Sequence, residues 1–254
     1  MHPILLSFGT LNLYTYGFFV ALGFFAATFY ISKISKSGII SQENLHSLFL
    51  YTIIAAIAGA RILYVLTNLG EFINAPLDIF KIWHGGLVYY GGFIVAVSYV
   101  VWYCVRKKVP IGQLSDNIAP ALGLGHFFGR IGCFFAGCCY GKTCDFPFAV
   151  VFNNADTLAL RGVQIHPTQL YEAFGNLIVS FILHFYNRKE HASGKTFALY
   201  LVMYAVLRFI VEFFRGDYRG SEFFGLSIAQ NVSILIFFTG LLIIYKADKK
   251  WKKK

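Results

Sequence analysis

Five ionisable side chains, Arg61, Arg130, Glu172, Arg208 and Glu212, fall inside long apolar runs of the chain. A charge at membrane depth costs ~2.5–3.5 kcal/mol even on insertion scales, so residues of this kind mark a function. Arginine stays protonated and presents a planar fork of donors that fits a carboxylate or phosphate by two-point contact. Guanidiniums outnumber carboxylates in this set, which points to an anionic ligand as the missing partner.

Spacing sorts these residues into faces. Tyr204, Arg208, Glu212 and Arg215 recur at i, i+4, i+8 and i+11. On a helix turning about 100° per residue they lie within about 80° of one another, as one polar stripe. The stripe reads either as an ion pair that locks helices together or as a lining that Arg215 extends toward solvent. Gln169, Glu172 and Asn176 share another face, following Pro167 at a position where a helix tolerates proline. Interhelical hydrogen bonding is the plain alternative there. Between Gly125 and Gly141 two faces run side by side. Gly125, Gly129, Gly132 and Ala136 suit close helix approach, and His126, Arg130, Cys133 and Gly137 form the neighbouring face. Glycines around a buried arginine leave room for a head group and expose backbone donors. A further segment, Trp83-His84-Gly85-Gly86-Leu87-Val88-Tyr89-Tyr90-Gly91-Gly92, sets two glycine pairs around two tyrosines.

Four of the five cysteines, Cys133, Cys138, Cys139 and Cys144, lie close together in the chain, and Cys104 lies apart. Adjacent thiols chelate one ion poorly, and no C-x-x-C or paired-histidine spacing occurs. No metal and no cofactor is therefore expected. A disulfide from Cys138 or Cys139 to Cys144 is the favoured use of the cluster, and a membrane thiol redox protein built on Cys133–Cys144 is an alternative function.

The elements that must carry these residues follow from composition. The 254 residues are 57% hydrophobic and 13% charged, where a soluble domain carries about 25% charged residues. That balance excludes a soluble enzyme, a nucleic-acid binder and a disulfide-stapled secreted module. Crossing a hydrocarbon layer of roughly 30 Å takes about 20 apolar residues. Runs of that size occur at about 11–31, 45–67, 85–105, 113–139, 167–187, 196–214 and 225–246. The expected fold is all-α, a polytopic membrane protein with seven transmembrane helices, organised as one domain over residues 1–254. The start, Met1 to Ser7, lacks a basic leader and a small-residue cleavage site, so the first helix is expected to remain in the mature protein.

Lys and Arg set the orientation. Fourteen of the 22 lie on one side of these spans, including Lys33, Lys36, Arg106, Arg188 and the tail lysines. Five, Lys81, Lys142, Arg161, Arg215 and Arg219, lie on the other, and three fall within spans. The positive-inside bias places the C-terminus in the cytoplasm and, with an odd number of spans, the N-terminus outside. The net charge of +10 is thus a topology signal and gives no support to a nucleic-acid partner.

Taken together, Tyr16-Gly17, Gly59-Ala60-Arg61, the paired glycines around Tyr89-Tyr90, Gly129-Arg130-Ile131-Gly132, His166-Pro167-Thr168-Gln169-Leu170-Tyr171-Glu172 and the run from Arg208 to Arg215 resemble the bacterial prolipoprotein diacylglyceryl transferases. The six segments occur in the family's order and cover nearly the whole chain. The resemblance implies seven transmembrane helices in a bacterial inner membrane with the N-terminus outside. It also implies transfer of the diacylglyceryl group of phosphatidylglycerol to the lipobox cysteine thiol of a prolipoprotein, with release of glycerol-1-phosphate. The partners it implies are that lipid and the prolipoprotein signal peptide. Arg130 and Arg208 would stabilise charge growing on the leaving phosphate, and Glu212 would orient Arg208. Tyr16, Arg61, Gln169, Glu172, Arg215, Gly129 and Gly132 would shape the substrate pocket.

Three positions depart from the family's usual pattern. Cys133 and Cys138 stand where many members carry Asn and Glu, and Tyr90 stands where a histidine is the usual acceptor of the thiol proton. A tyrosine, with an ordinary pKa of about 10, accepts a proton only as phenolate. Either Tyr90 takes that proton in this variant, or another group does, or the acceptor differs, as in a related lipid transferase.

Overall fold

The computed structural model describes residues 1–9, 11–34, 39–73, 75–82, 85–217, 223 and 225–251. Among the sequence features above, Lys36, Trp83, His84, Arg219 and residues 252–254 lie outside the described residues. Helix makes up 69% of the described residues, with minor sheets, so the fold is all-helical.

A short antiparallel hairpin, β1 (Ile4–Phe8) and β2 (Leu11–Tyr14), leads into α1 (Thr15–Ile34). Next come α2 (Gln42–Thr67), the short α3 (Leu69–Ile73) and a single 3-10 turn (Pro76–Phe80). Two long helices follow, α4 (Tyr89–Lys107) and α5 (Ile111–Ala136). A small ribbon of β3 (Val150–Val151) and β4 (Gln164–Ile165) precedes α6 (Thr168–Asn187), α7 (Lys195–Glu212) and α8 (Ile228–Trp251).

Each expected apolar run holds one long helix, but two starts need correction. Residues 11–14 are strand, not helix: Ser7 pairs with Asn12 across the hairpin, and Gly9 at φ 62 makes its turn. Thr15 then anchors α1 through its hydroxyl to the His2 carbonyl at 2.5 Å. The helix expected from residue 85 begins at Tyr89, because Gly85 and Gly86 adopt φ 86 and 73, which right-handed helix excludes.

Among the described residues four helices, α1, α2, α5 and α8, are long and apolar enough to cross a membrane by length and composition. In α6 and α7 the polar stripes themselves, Gln169, Glu172 and Asn176 on one and Arg208 and Glu212 on the other, dilute the apolar content. Side chains such as Phe25, Leu235 and Phe238 are more than 60% exposed, a surface suited to lipid rather than water.

The chain forms two compact units. The smaller covers residues 35–114 and centres on α2 packed against α4. Their backbones meet closely: a Cβ added at Gly59 would lie 2.6 Å from the Gly91 carbonyl oxygen, and one at Gly92 2.7 Å from that of Ala56. Here Gly91-Gly92 serves helix contact. Gly85-Gly86 serves Arg61, which donates to the carbonyls of both, at 2.9 and 3.1 Å, and to those of Asp78 and Ile79, at 2.6 and 2.8 Å.

The larger unit covers residues 1–34 and 115–254. Its apolar centre includes Ala119, Val179, Leu183 and Tyr200. Gly132 packs α5 on α1, since a Cβ there would stand 3.1 Å from Phe19 Cβ and 3.2 Å from the Tyr16 carbonyl. At one end of the unit, Asp116 of α5 accepts from the backbone N–H groups of Gly194 and Phe197 at 2.6 and 2.9 Å, satisfying donors at the start of α7. At the other end, the close of α5, the start of α6, the close of α7 and the start of α8 converge. Bridges Gly141–Arg215 and Thr143–Ile165 tie their connecting segments together.

Candidate functional site

The polar stripes of three helices meet at that second end. Glu172 projects from the first turns of α6, only 2% exposed, into an ion pair with Arg130 of α5. Its other oxygen lies 3.4 Å from Nη1 of Arg208 on α7. Nη1 of Arg208 donates to Glu212 Oε2 at 2.5 Å, and Arg215 Nε lies 3.7 Å from the same oxygen. Arg215 closes the chain with two parallel bonds to Asp217, at 2.9 and 2.7 Å. Beyond the end of α7, burial opposes the charge of Arg215, but the Asp217 carboxylate and the Cys139 sulfur together outweigh it and hold the guanidinium pKa above its usual value.

Guanidinium and carboxylate therefore alternate from Arg130 to Asp217. Within this cluster the sequence-derived surplus of positive charge disappears, because Asp217 joins Glu172 and Glu212 and Arg61 belongs to the other unit. What the cluster offers a ligand is direction. Arg208 Nη2 is buried with no hydrogen-bond partner, as are Gln169 Oε1 and Asn176 Oδ1. Both Glu172 oxygens touch cations yet make no well-directed hydrogen bond. Buried polar atoms left unpaired cost ~1–3 kcal/mol each, so a set of them around one charged cluster makes it the candidate site for a polar ligand.

Local structure explains the aim of each side chain. The start of α6 is pinned to the turn after α5: Thr168 Oγ1 donates to the Cys139 carbonyl and Gln169 Nε2 to that of Cys138, both at 2.8 Å. These bonds fix Glu172 one turn further on. Glu212 is steadied from α8 by Ser227, whose hydroxyl donates to Oε1 at 2.7 Å. Ser227 and Gln230 also exchange bonds of 3.2 and 3.0 Å as a capping box at the start of α8. Gly129 precedes Arg130, and a Cβ there would meet nothing within 4 Å. Gly125 and Gly132 face α1, so the small-residue face divides between packing and open space beside the guanidinium.

The structure thus brings together Arg130, Gln169, Glu172, Arg208, Glu212 and Arg215, with Gly129 and Gly132 beside them and Tyr16 backing Gly132. Arg61 and Tyr90 lie in the smaller unit, where Arg61 spends its donors on backbone carbonyls between the rings of Tyr64 and Phe72. Tyr90 is 62% exposed, its ring against Tyr89. Sequence reasoning passed over Asp217 and Ser227, and it placed Tyr204 and His126 on separate faces without joining them behind Arg130. Tyr204 lies against Arg130, and the His126 ring, one turn before Arg130, contacts Tyr204 and meets the Tyr200 hydroxyl at 3.0 Å. The Ser-x-x-Gln capping signature was the readable signal for Ser227.

None of the five cysteines takes part in a disulfide, so the pairing expected between Cys138 or Cys139 and Cys144 is not formed. Instead the sulfurs of Cys133, Cys138 and Cys139 gather within 4.8 Å of one another beside the ion-pair chain.

Residues 3–246 match the family model for prolipoprotein diacylglyceryl transferase. The chain belongs to that family. It is 36% identical over 243 residues to the phosphatidylglycerol–prolipoprotein diacylglyceryl transferase of Clostridium tetani, covering 96% of each chain. It is 35% identical over 239 residues to the second enzyme of that name from Clostridium perfringens, covering 94% of this chain and 92% of the relative. A third relative of the same name, from Pseudoalteromonas atlantica, is 34% identical over 260 residues, with 98% and 90% covered. Family membership and the apolar helices make this a multi-pass membrane protein.

Proposed function

We propose that the protein transfers the diacylglyceryl group of phosphatidylglycerol to the thiol of a prolipoprotein's lipobox cysteine, releasing glycerol-1-phosphate. The observation that carries this reading is the buried chain from Arg130 through Glu172, Arg208 and Glu212 to Arg215, with Arg208 Nη2 left to find an acceptor. A phosphodiester supplies acceptor oxygens to Arg130 and Arg208. Glycerol hydroxyls supply donors to Gln169 Oε1 and Asn176 Oδ1. As the C–O bond breaks, the leaving phosphate gains a second negative charge, and preorganised guanidiniums shielded from water stabilise that state more than the ground state.

Glu172 and Glu212 act as positioning residues that hold the forks in place, and Arg215 continues the cationic lining outward. Gly129 leaves space for the head group, Gly132 lets α1 bring Tyr16 close, and Arg61 braces the turn that leads to Tyr90. Tyr90 stands in the place of the family's proton acceptor. In this reading the whole chain is one transferase domain of seven spans in a bacterial inner membrane, N-terminus outside and C-terminus in the cytoplasm. Its site then opens on the outer face, where a lipobox cysteine emerges.

The test incubates the purified protein with phosphatidylglycerol vesicles and a lipobox peptide. A mass increase of one diacylglyceryl group on the cysteine is expected. Arg130→Ala and Arg208→Ala should each abolish it. No transfer by the unaltered protein overturns the reading, and full transfer in both variants removes the arginines from the mechanism.

A further inference from the structure

Cys133 lies on the last turn of α5, and Cys138 and Cys139 follow within the turn that Thr168 and Gln169 pin. Adjacent residues of an extended chain point to opposite sides, which argues against Cys138 and Cys139 serving one ligand. The backbone here is not extended. Gly137 takes φ 77 and Cys139 φ 62, a left-handed conformation rare for a residue with a side chain. The turn brings both sulfurs to the same side, facing Cys133, with all three within 4.8 Å of one another. Four-coordinate zinc, with Zn–S bonds of about 2.3 Å, holds its sulfurs roughly 3.8 Å apart. The three sulfurs have to close by at most about 1 Å to meet that spacing.

We propose that Cys133, Cys138 and Cys139 bind a zinc ion through three thiolates and leave its fourth position open for the acceptor cysteine. Three protein ligands with one open position is the pattern of catalytic rather than structural zinc. Three thiolates and Zn2+ leave one net negative charge, and the surroundings answer it. Arg215 lies against the Cys139 sulfur, and Arg130 lies on the same helix as Cys133, three residues before it. The carbonyls of Cys138 and Cys139 are already bonded to α6, so metal binding demands little ordering of the backbone.

The identity of the fourth ligand rests on the transferase reading; the metal site itself does not. Such an ion supplies what Tyr90 provides poorly, since a thiol coordinated to zinc is deprotonated outright. The acceptor S–H gives its proton to solvent as sulfur binds. A sulfur electron pair then attacks the glyceryl carbon that bears the phosphate oxygen. The S–C bond forms, the C–O bond breaks, and its electron pair leaves on glycerol-1-phosphate. No oxidant or reductant takes part.

The experiment uses the full-length protein, purified with reduced thiols in lipid nanodiscs and titrated with Co2+ and Zn2+. One Co2+ per chain is expected, with thiolate-to-cobalt charge-transfer absorption that Zn2+ abolishes. Cys133→Ser, Cys138→Ser and Cys139→Ser should each lose stoichiometric binding, whereas Cys144→Ser should retain it. Thermal unfolding of each variant establishes that the protein is folded. Absence of binding, a disulfide within the trio, or a preference for Cu+ in a closed three-coordinate site would each overturn the proposal. With peptide added, the cobalt spectrum should shift as a fourth sulfur enters, and chelation should abolish transfer until Zn2+ is restored. Full transfer by metal-free protein removes the acceptor from the zinc. Intact metal binding without transfer under any condition is instead the failure of the transferase reading.

Discussion

Arg208 and Glu212, one turn apart on α7, share a hydrogen bond of 2.5 Å, and the same guanidinium nitrogen reaches Glu172 on α6 at 3.4 Å. One nitrogen thus serves two carboxylates while the other terminal nitrogen, Nη2, is buried without a partner. The arrangement spends half of the fork on the two carboxylates and leaves the other half unpaired, the half that the proposed transfer assigns to the phosphate. Arg208→Lys retains the charge but replaces the planar fork by a point donor. Transfer should fall by about 10²-fold, the scale seen when one preorganised donor is removed from a site of developing charge. The melting temperature in detergent should change far less than in Arg208→Ala, which strands two acids.

Glu172 lies between two cations, Arg130 and Arg208. Glu172→Gln keeps the shape and removes the charge, leaving both guanidiniums partly uncompensated. Breaking a buried ion pair from one side costs ~3–5 kcal/mol. The expected outcome is a large drop in thermal midpoint together with loss of transfer. A variant as stable as the parent would show that the pair is open to water.

Much of this site was legible in the chain because a helix converts spacing into direction. Arg208 and Glu212 on α7, and likewise Gln169, Glu172 and Asn176 on α6, do share faces, and the helices bring those faces together. Arg215, expected to continue the α7 stripe, instead joins from the turn beyond that helix. What escaped depends on the backbone between helices. Adjacent Cys138 and Cys139 look incompatible with one ligand until Cys139 is known to be left-handed. Asp217 lies beyond the end of α7 and balances a charge that helix periodicity alone leaves unpaired. The second strand of the hairpin, Leu11–Tyr14, was read as helix because its leucines and tyrosine are as apolar as a membrane span, and hydropathy over so few residues does not distinguish period two from period 3.6.

The two glycine positions Gly59 and Gly129 should respond oppositely to a methyl group. At Gly59 the added Cβ would meet the Gly91 carbonyl oxygen and Val95 at 2.6 Å, so Gly59→Ala must push α2 from α4. A loss of ~1–3 kcal/mol is expected, read as a lowered unfolding midpoint. At Gly129 nothing lies within 4 Å, and Gly129→Ala should be neutral or stabilise the helix by up to ~1 kcal/mol. Gly129→Leu should fold equally well while slowing transfer, because its side chain fills the space beside Arg130.

Asp116 tests whether the far end of the larger unit is purely structural. Its carboxylate, 3% exposed, accepts two backbone N–H groups at the start of α7. Asp116→Ala leaves those donors buried and unpaired, at ~1–3 kcal/mol for the group lost. Thermal stability should fall, and the Michaelis constant for phosphatidylglycerol in the surviving folded fraction should not move. A changed Michaelis constant would connect the two ends of the unit in a way that packing alone does not.

Arg61 separates bracing from binding. Its guanidinium donates to four backbone carbonyls, those of Asp78, Ile79, Gly85 and Gly86, and stands between the Tyr64 and Phe72 rings. A cation whose donors are taken up by the turn it holds contributes mainly to that turn's conformation. Arg61→Ala strands those carbonyls and frees two glycines at positive φ. Limited proteolysis should then cut between residues 75 and 88 at rates well above the parent's. If Arg61 instead grips lipid phosphate, the variant will resist protease as the parent does and show a raised Michaelis constant for phosphatidylglycerol. The two readouts move independently, so the variant assigns Arg61 to one role or the other.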